Sequence, residues 1–226
     1  TLSAILLIGG MYAQIDRGGQ PMSWKLKTLS NDIPVFKTDA IDLIQAQEQD
    51  AVTDQYKDTP YRFGLDQEVD INFFDLAGSE SIKGDRNVWR LGIHCPEAQS
   101  VSFLIDQFYL PEGSQLFVYS EDGAELKGAY NELNNKESGI FPVGLIKSDK
   151  IVIEYIEPVS GEQADIHISQ ITHGYRPVLN KWEQKGPFGT SGACNINANC
   201  PEGLPWEAQK RSVALIVNGG FAACTG

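Results

Sequence analysis

Three histidines and four cysteines are the residues of this chain best suited to covalent or metal chemistry, and their spacing limits what they can do. His94 and Cys95 end an apolar run, Ile93-His94-Cys95. A histidine at a strand end can serve a nucleophilic serine as general base. No Thr-Ala precedes this one, however, and Pro96-Glu97 follows as a turn. The pair therefore reads as a surface histidine beside a free or buried cysteine. Gly189-Thr190-Ser191-Gly192 has the small residues found around an exposed nucleophile, but it lacks the second glycine and an evident His or Asp partner, so it reads as a flexible segment. His167 lies inside an alternating apolar run and His173 at its end. Neither has cysteine or carboxylate at ligand spacing, so both read as structural, with no metal and no cofactor expected.

The cysteines carry more information. Five residues separate Cys194 from Cys200, and twenty-three separate Cys200 from Cys224. Three cannot pair among themselves, and Cys95 belongs to a different stretch, so some disulfide partners are expected beyond residue 226.

The elements that would position these residues change character along the chain. Residues 15–38 are polar, with scattered Gly and Pro. Residues 39–57 read as a helix capped by Asp39, with a rough apolar stripe of Ala40, Ile41, Leu43, Ile44, Ala51 and Val52. Its many acids read as a solvated face. From 61 to 178, strand-length runs recur: Val69–Leu76, Asn87–Ile93, Ser100–Phe108, Gln115–Tyr119, Gly139–Leu145, Lys150–Ile156 and Asp165–Thr172. Turn-forming stretches such as Ala77-Gly78-Ser79, Pro111-Glu112-Gly113 and Glu121-Asp122-Gly123 separate them. This pattern predicts a mainly β fold, an antiparallel β-sandwich, with Val101, Phe103 and Ile105 facing inward and Ser102, Leu104 and Asp106 outward. Trp89 is expected in the core. Residues 179–188 read as a linker, with Lys181 and Lys185 open to proteolysis. Ser212–Val217, Asn218-Gly219-Gly220 and the residues after Phe221 read as strand, turn and strand, so the chain is expected to continue.

At the front, Leu2–Gly10 is a short uncharged apolar run. It is too short to span a bilayer and fits the apolar part of a secretory signal peptide cut between Ala13 and Gln14. The alternative is a buried first strand. A net charge of -12 argues against coating nucleic acid or an anionic membrane, so neither is an expected partner.

Ser191-Gly-Ala-Cys-Asn-Ile-Asn-Ala-Asn-Cys-Pro-Glu-Gly203, Lys210-Arg-Ser-Val-Ala-Leu-Ile-Val217 and Gly220-Phe-Ala-Ala-Cys-Thr-Gly226 resemble, in order and cysteine spacing, the opening of the mature domain of lysyl endopeptidases. These are secreted bacterial serine proteases of trypsin-like double-β-barrel fold. The match covers residues 189–226. Trp89-Arg-Leu, Leu110-Pro-Glu-Gly and His173-Gly-Tyr-Arg176 resemble, more loosely, phrases of the β-rich pro-regions of such precursors. The resemblance implies a precursor with partial signal peptide (1–14), an acidic N-terminal pro-segment with a helix (15–60), a β-sandwich pro-domain (61–178), a processing region (179–188) and the first strands of a protease domain (189–226). It implies cleavage of protein or peptide substrates after Lys, and secretion by a Gram-negative type signal. It implies a pro-region that aids folding of its own protease domain or inhibits it. The catalytic His, Asp and Ser would follow Gly226, as would the disulfide partners of Cys194, Cys200 and Cys224. The mature start would fall near Gly189, after Phe188, with cleavage after Lys185 as the other option. The competing expectation is a secreted, non-enzymatic β-sandwich module that binds carbohydrate or peptide through aromatics exposed on one sheet face.

Overall fold

The computed structural model describes residues 16–56, 59–82, 86–178, 201–210 and 215–225, with the backbone alone for Leu215 and residues 223–225. The strands are β1 (Val35–Lys37), β2 (Tyr61–Arg62), β3 (Gly64–Asn72), β4 (Gly78–Ile82), β5 (Arg86–His94), β6 (Ser100–Tyr109), β7 (Gln115–Ser120), β8 (Leu126–Tyr130), β9 (Phe141–Ile146), β10 (Lys150–Pro158), β11 (Asp165–Gly174), β12 (Leu215–Asn218) and β13 (Phe221–Thr225). Short helices α1 (Met22–Lys25), α2 (Leu43–Thr53) and α3 (Phe73–Leu76) interrupt them.

The fold is mainly β, in three sheets, and no barrel closes among the described residues. The first sheet has the order β1-β5-β10-β7-β8, with β4 also paired to β5; the second is β3-β11-β6-β9; the third is β12-β13-β2. Pairing is antiparallel except for β1, which runs parallel to the end of β5. Alternation along β6 explains how the two larger sheets meet. Val101, Phe103 and Ile105 are buried, and Ser102, Leu104 and Asp106 are not. The inward residues share one cluster with Leu91, Ile93, Ile151, Ile153 and Tyr155 from the first sheet. Trp89 packs at the edge of this cluster, edge-to-face with Phe74 at 5.3 Å, while its indole N–H donates to Glu157 at 2.8 Å.

β10 is buried on both faces because residues 16–34 cover the outer side of the first sheet. Met22, Leu29 and Ile33 lie against Val88, Phe117, Tyr119, Val152 and Ile156. These residues have no helical or strand period because the segment crosses the sheet as a strap. Arg17 N–H donates to the Ala129 carbonyl and Ala129 N–H to the Gly18 carbonyl, each at 3.0 Å. The fully buried Glu154 fixes its middle: its carboxylate accepts from the N–H groups of Met22 at 2.5 Å and Ser23 at 3.3 Å, and from the Tyr119 hydroxyl at 3.1 Å.

Three expectations need correction. The helix begins at Leu43, and Asp42, not Asp39, caps it by accepting from the Gln45 N–H at 3.0 Å. Its buried face is Ala46 and Asp50, one turn apart, while Ile44 and Val52 face solvent. The run Val69–Leu76 is a strand only to Asn72. The Asn72 side chain accepts from Phe74 N–H at 3.1 Å and starts α3, which buries Phe73. Ala77-Gly78-Ser79 is not a turn, because Gly78 opens β4. A Cβ there would press on Pro34 of the strap, so the close approach requires glycine.

Replacing Glu154 with Ala leaves two part-buried N–H groups without an acceptor and leaves the Tyr119 hydroxyl only Ser23 Oγ, at 3.0 Å. It is expected to destabilise the fold by about 2–4 kcal/mol in chemical denaturation, summing losses of about 1–3 kcal/mol per orphaned group with partial rehydration. Proteolysis should then cut residues 16–34 before the sheets; unchanged denaturation would show that the strap is not anchored there.

Candidate functional site

Helix α2 meets the body of the fold through a charged network rather than an apolar stripe. One Asp50 oxygen accepts from Arg62 Nε at 2.8 Å, and the other accepts from the Tyr175 hydroxyl at 2.6 Å and lies 2.6 Å from Arg176 Nη1. Arg176 Nη2 reaches Asp54 at 2.5 Å, and its guanidinium lies 4.3 Å from the centre of the Tyr61 ring. Arg62 Nη2 donates to the Ala46 carbonyl at 2.8 Å. Burial raises the Asp50 carboxyl, but hydrogen bonds from Tyr175, Arg176 and Arg62 and the Arg176 charge outweigh it, so its pKa lies below the ordinary value. Burial, with the Asp50 hydrogen bond, pushes the Tyr175 phenol up to about 12.

The network fixes the two-residue strand β2, because Tyr61 and Arg62 are both members. The next residue, the fully buried Phe63, is bound on both sides. Its carbonyl accepts from Tyr175 and Arg176 N–H at 3.0 Å, and its N–H donates to the Gly220 carbonyl at 2.8 Å. Gly64 N–H donates to the same carbonyl at 3.0 Å. Gly220 belongs to the turn of the β12–β13 hairpin, whose second strand pairs with β2 through Phe221 and Arg62, and Ala222 and Tyr61. The turn fits because it has no side chains. Gly219 has φ +52°, a Cβ on it would strike the Asp66 carboxylate, and a Cβ on Gly220 would strike Gly64. Asp66 is itself held by the Thr172 hydroxyl at 2.6 Å. Between the hairpin and the outer face of the second sheet lies a cavity of about 290 Å³ lined by Leu104, Pro142, Gln170, Thr172 and Val217 among others.

The other reactive residues fall elsewhere. Cys95 is fully buried in the core, and burial pushes its thiol up to about 11, so it is unreactive at neutral pH. His94 is half-buried, 3.5 Å from Asp149. His167 lies on the outer face between Asp106 at 2.6 Å and Asp70 at 2.8 Å, and these two hydrogen bonds raise its pKa. His173 is buried with neither ring nitrogen bonded, and burial lowers its pKa despite the charge of Glu97. No group of three potential metal ligands forms among the described residues. Cys224 lies on the backbone of β13 opposite Ile216. Ala13, Gln14, Lys185, Phe188, Gly189, Cys194 and Cys200 lie outside the described residues. Among the described residues, the exposed aromatics Trp24, Tyr56, Tyr109, Trp206 and Phe221 are spread over different parts of the fold and share no single sheet face.

No protein-family model matches the chain, and no solved structure matches it significantly.

Asp50→Ala removes the carboxylate that two guanidinium groups and the Tyr175 hydroxyl share and is expected to cost about 3–5 kcal/mol in urea denaturation. In the parent, the Asp50 contribution is present above about pH 4 and is lost as pH falls through its lowered folded value. A loss under 1 kcal/mol would deny the network its structural role. The two histidines carry opposite signs. His173 charges more readily unfolded than folded, so the parent should lose stability relative to His173→Leu as pH falls below about 6.5, by up to about 1.4 kcal/mol per pH unit. His167 contributes stability below about pH 6.5 that disappears as pH rises through its raised value. Parallel curves for the parent and His173→Leu would contradict a neutral, unpartnered His173.

Proposed function

We propose that this chain is the N-terminal part of the precursor of a secreted, trypsin-like serine endopeptidase that cleaves peptide bonds after Lys. In this reading residues 1–14 are a partial signal peptide, residues up to 178 are the pro-region, and residues from 189 begin the double β-barrel. The observation that carries the reading is the Ser191–Gly203 segment with its two cysteines, followed at close spacing by a strand-turn-strand unit that has Cys224 on its second strand. In a trypsin-like barrel such a cysteine ties the strand to the loop that bears the catalytic histidine. In this reading neither His94 nor Cys95 has a catalytic part, in keeping with Cys95 being a buried thiol and His94 meeting Asp149, and the resemblance puts the triad after Gly226. There a base, an orienting carboxylate and a nucleophile would meet within hydrogen-bond reach. The pro-region aids folding of the protease domain or holds it inactive until the 179–188 region is cut.

The downstream reading frame is expected to encode a Thr-Ala-x-His-Cys segment soon after Gly226 and a Gly-Asp-Ser-Gly-Gly segment later. The full-length product should hydrolyse Lys-containing peptides, and Ala at that later serine should lower kcat by at least about a thousandfold. An intact frame without those segments, or hydrolysis that survives the serine change, overturns the assignment. Lys185→Ala and Phe188→Ala precursors, followed by N-terminal sequencing of the mature enzyme, identify the activating bond.

A further inference from the structure

The hairpin of residues 215–225 docks on an edge more than 140 residues earlier (Ala222↔Tyr61, Phe221↔Arg62). We infer that Tyr61–Asp66 is an interaction surface whose partner is this hairpin, and that the Asp50 network serves to hold that edge in register for it. Three independent features fit the two together. The first is backbone pairing: β13 lies antiparallel to β2 and joins it as a neighbouring strand. The second is shape. Gly219 and Gly220 remove the side chains that would collide with Asp66 and Gly64, and the Gly220 carbonyl takes both the Phe63 and the Gly64 N–H. The third is support from below. Phe63 is gripped through its carbonyl by the backbone of Tyr175 and Arg176, whose side chains both engage Asp50.

The docking stands without the protease reading; its use rests on that reading. If residues from 189 begin a protease domain, the pro-region presents the first hairpin of that domain in strand geometry before the rest exists to pair with it. The edge then acts as a template that supplies, within one chain, the neighbour a lone hairpin lacks. Among the described residues, two residue pairs and two further N–H bonds join the hairpin backbone to this edge, contacts that the completed domain would have to replace.

Amide hydrogen exchange on the 226-residue chain tests the docking. Phe63 and Gly64 amides are expected to exchange at least tenfold faster in Gly220→Val than in the parent. Tyr175 and Arg176 amides, bonded to Phe63 on the other side, and the amides of β10 should stay unchanged. In Asp50→Asn the Phe63, Gly64, Tyr175 and Arg176 amides should all quicken, because the edge itself loosens. Should β10 also quicken in Gly220→Val, Ala222→Pro decides, since it breaks the same pairing without adding bulk against Gly64. Fast exchange of Phe63 and Gly64 in the parent, or protection that survives both hairpin changes, overturns the surface. The docking and the protease reading fail separately: a full-length product with no peptidase activity but a protected Phe63 leaves the surface standing. An active peptidase whose Phe63 exchanges freely removes the surface alone.

Discussion

The carboxylate of Asp50 is the constraint on which helix α2 and the β2 edge both depend. An ionised group taken out of water costs several kcal/mol unless its partners replace the lost hydration, and here two guanidinium groups and a phenol do so. The arrangement binds three distant stretches at one point: helix α2, strand β2 and the residues leaving β11. An isolated helix of eleven residues is marginal in water, and α2 buries only Ala46 and Asp50. Its position is therefore set by charge and hydrogen-bond geometry, which tolerate less displacement than an apolar contact would.

Strand β11 shows how one irregularity redistributes chemistry. His167 and His173 are six residues apart, and in a regular strand they would face the same way. The register with both neighbouring strands shifts between Ile168 and Gln170, so the parity changes. His167 then meets two carboxylates outside, while His173 and Ile171 enter the interior. The same shift puts Thr172 outward, where it steadies Asp66 beneath the hairpin turn.

The β character and most strand positions of residues 61–178 were legible because alternation along runs such as Val101–Ile105 reports burial on one face directly. The Asn218-Gly219-Gly220 turn was legible because the φ of +52° at Gly219 favours glycine locally, whereas the clearance both glycines give Asp66 and Gly64 was not. What stayed hidden depends on residues far apart in the chain. Asp50 looks like any acid on a solvated helix until Arg62 and Arg176 are brought beside it, and the apolar Ile44 and Val52 suggest the wrong face. Residues 15–38 looked formless because a strap takes its pattern from the sheet it crosses. Glu154, buried in the middle of the apolar run of residues 151–156, was the one local sign that something polar must lie across β10.

The strap also sets an order of events. Met22 and Glu154 are 132 positions apart, so the bond between them closes one of the longest loops in the molecule. Non-local contacts of this kind form late, because the chain entropy of the loop is lost before the contact returns anything. Residues 16–34 can be seated only once β10 is in place. Until β10 is in place they have no surface to lie on, and the outer side of the first sheet, with Phe117, Val152 and Ile156, stays open to water. The strap thus works as a closing clasp over the first sheet.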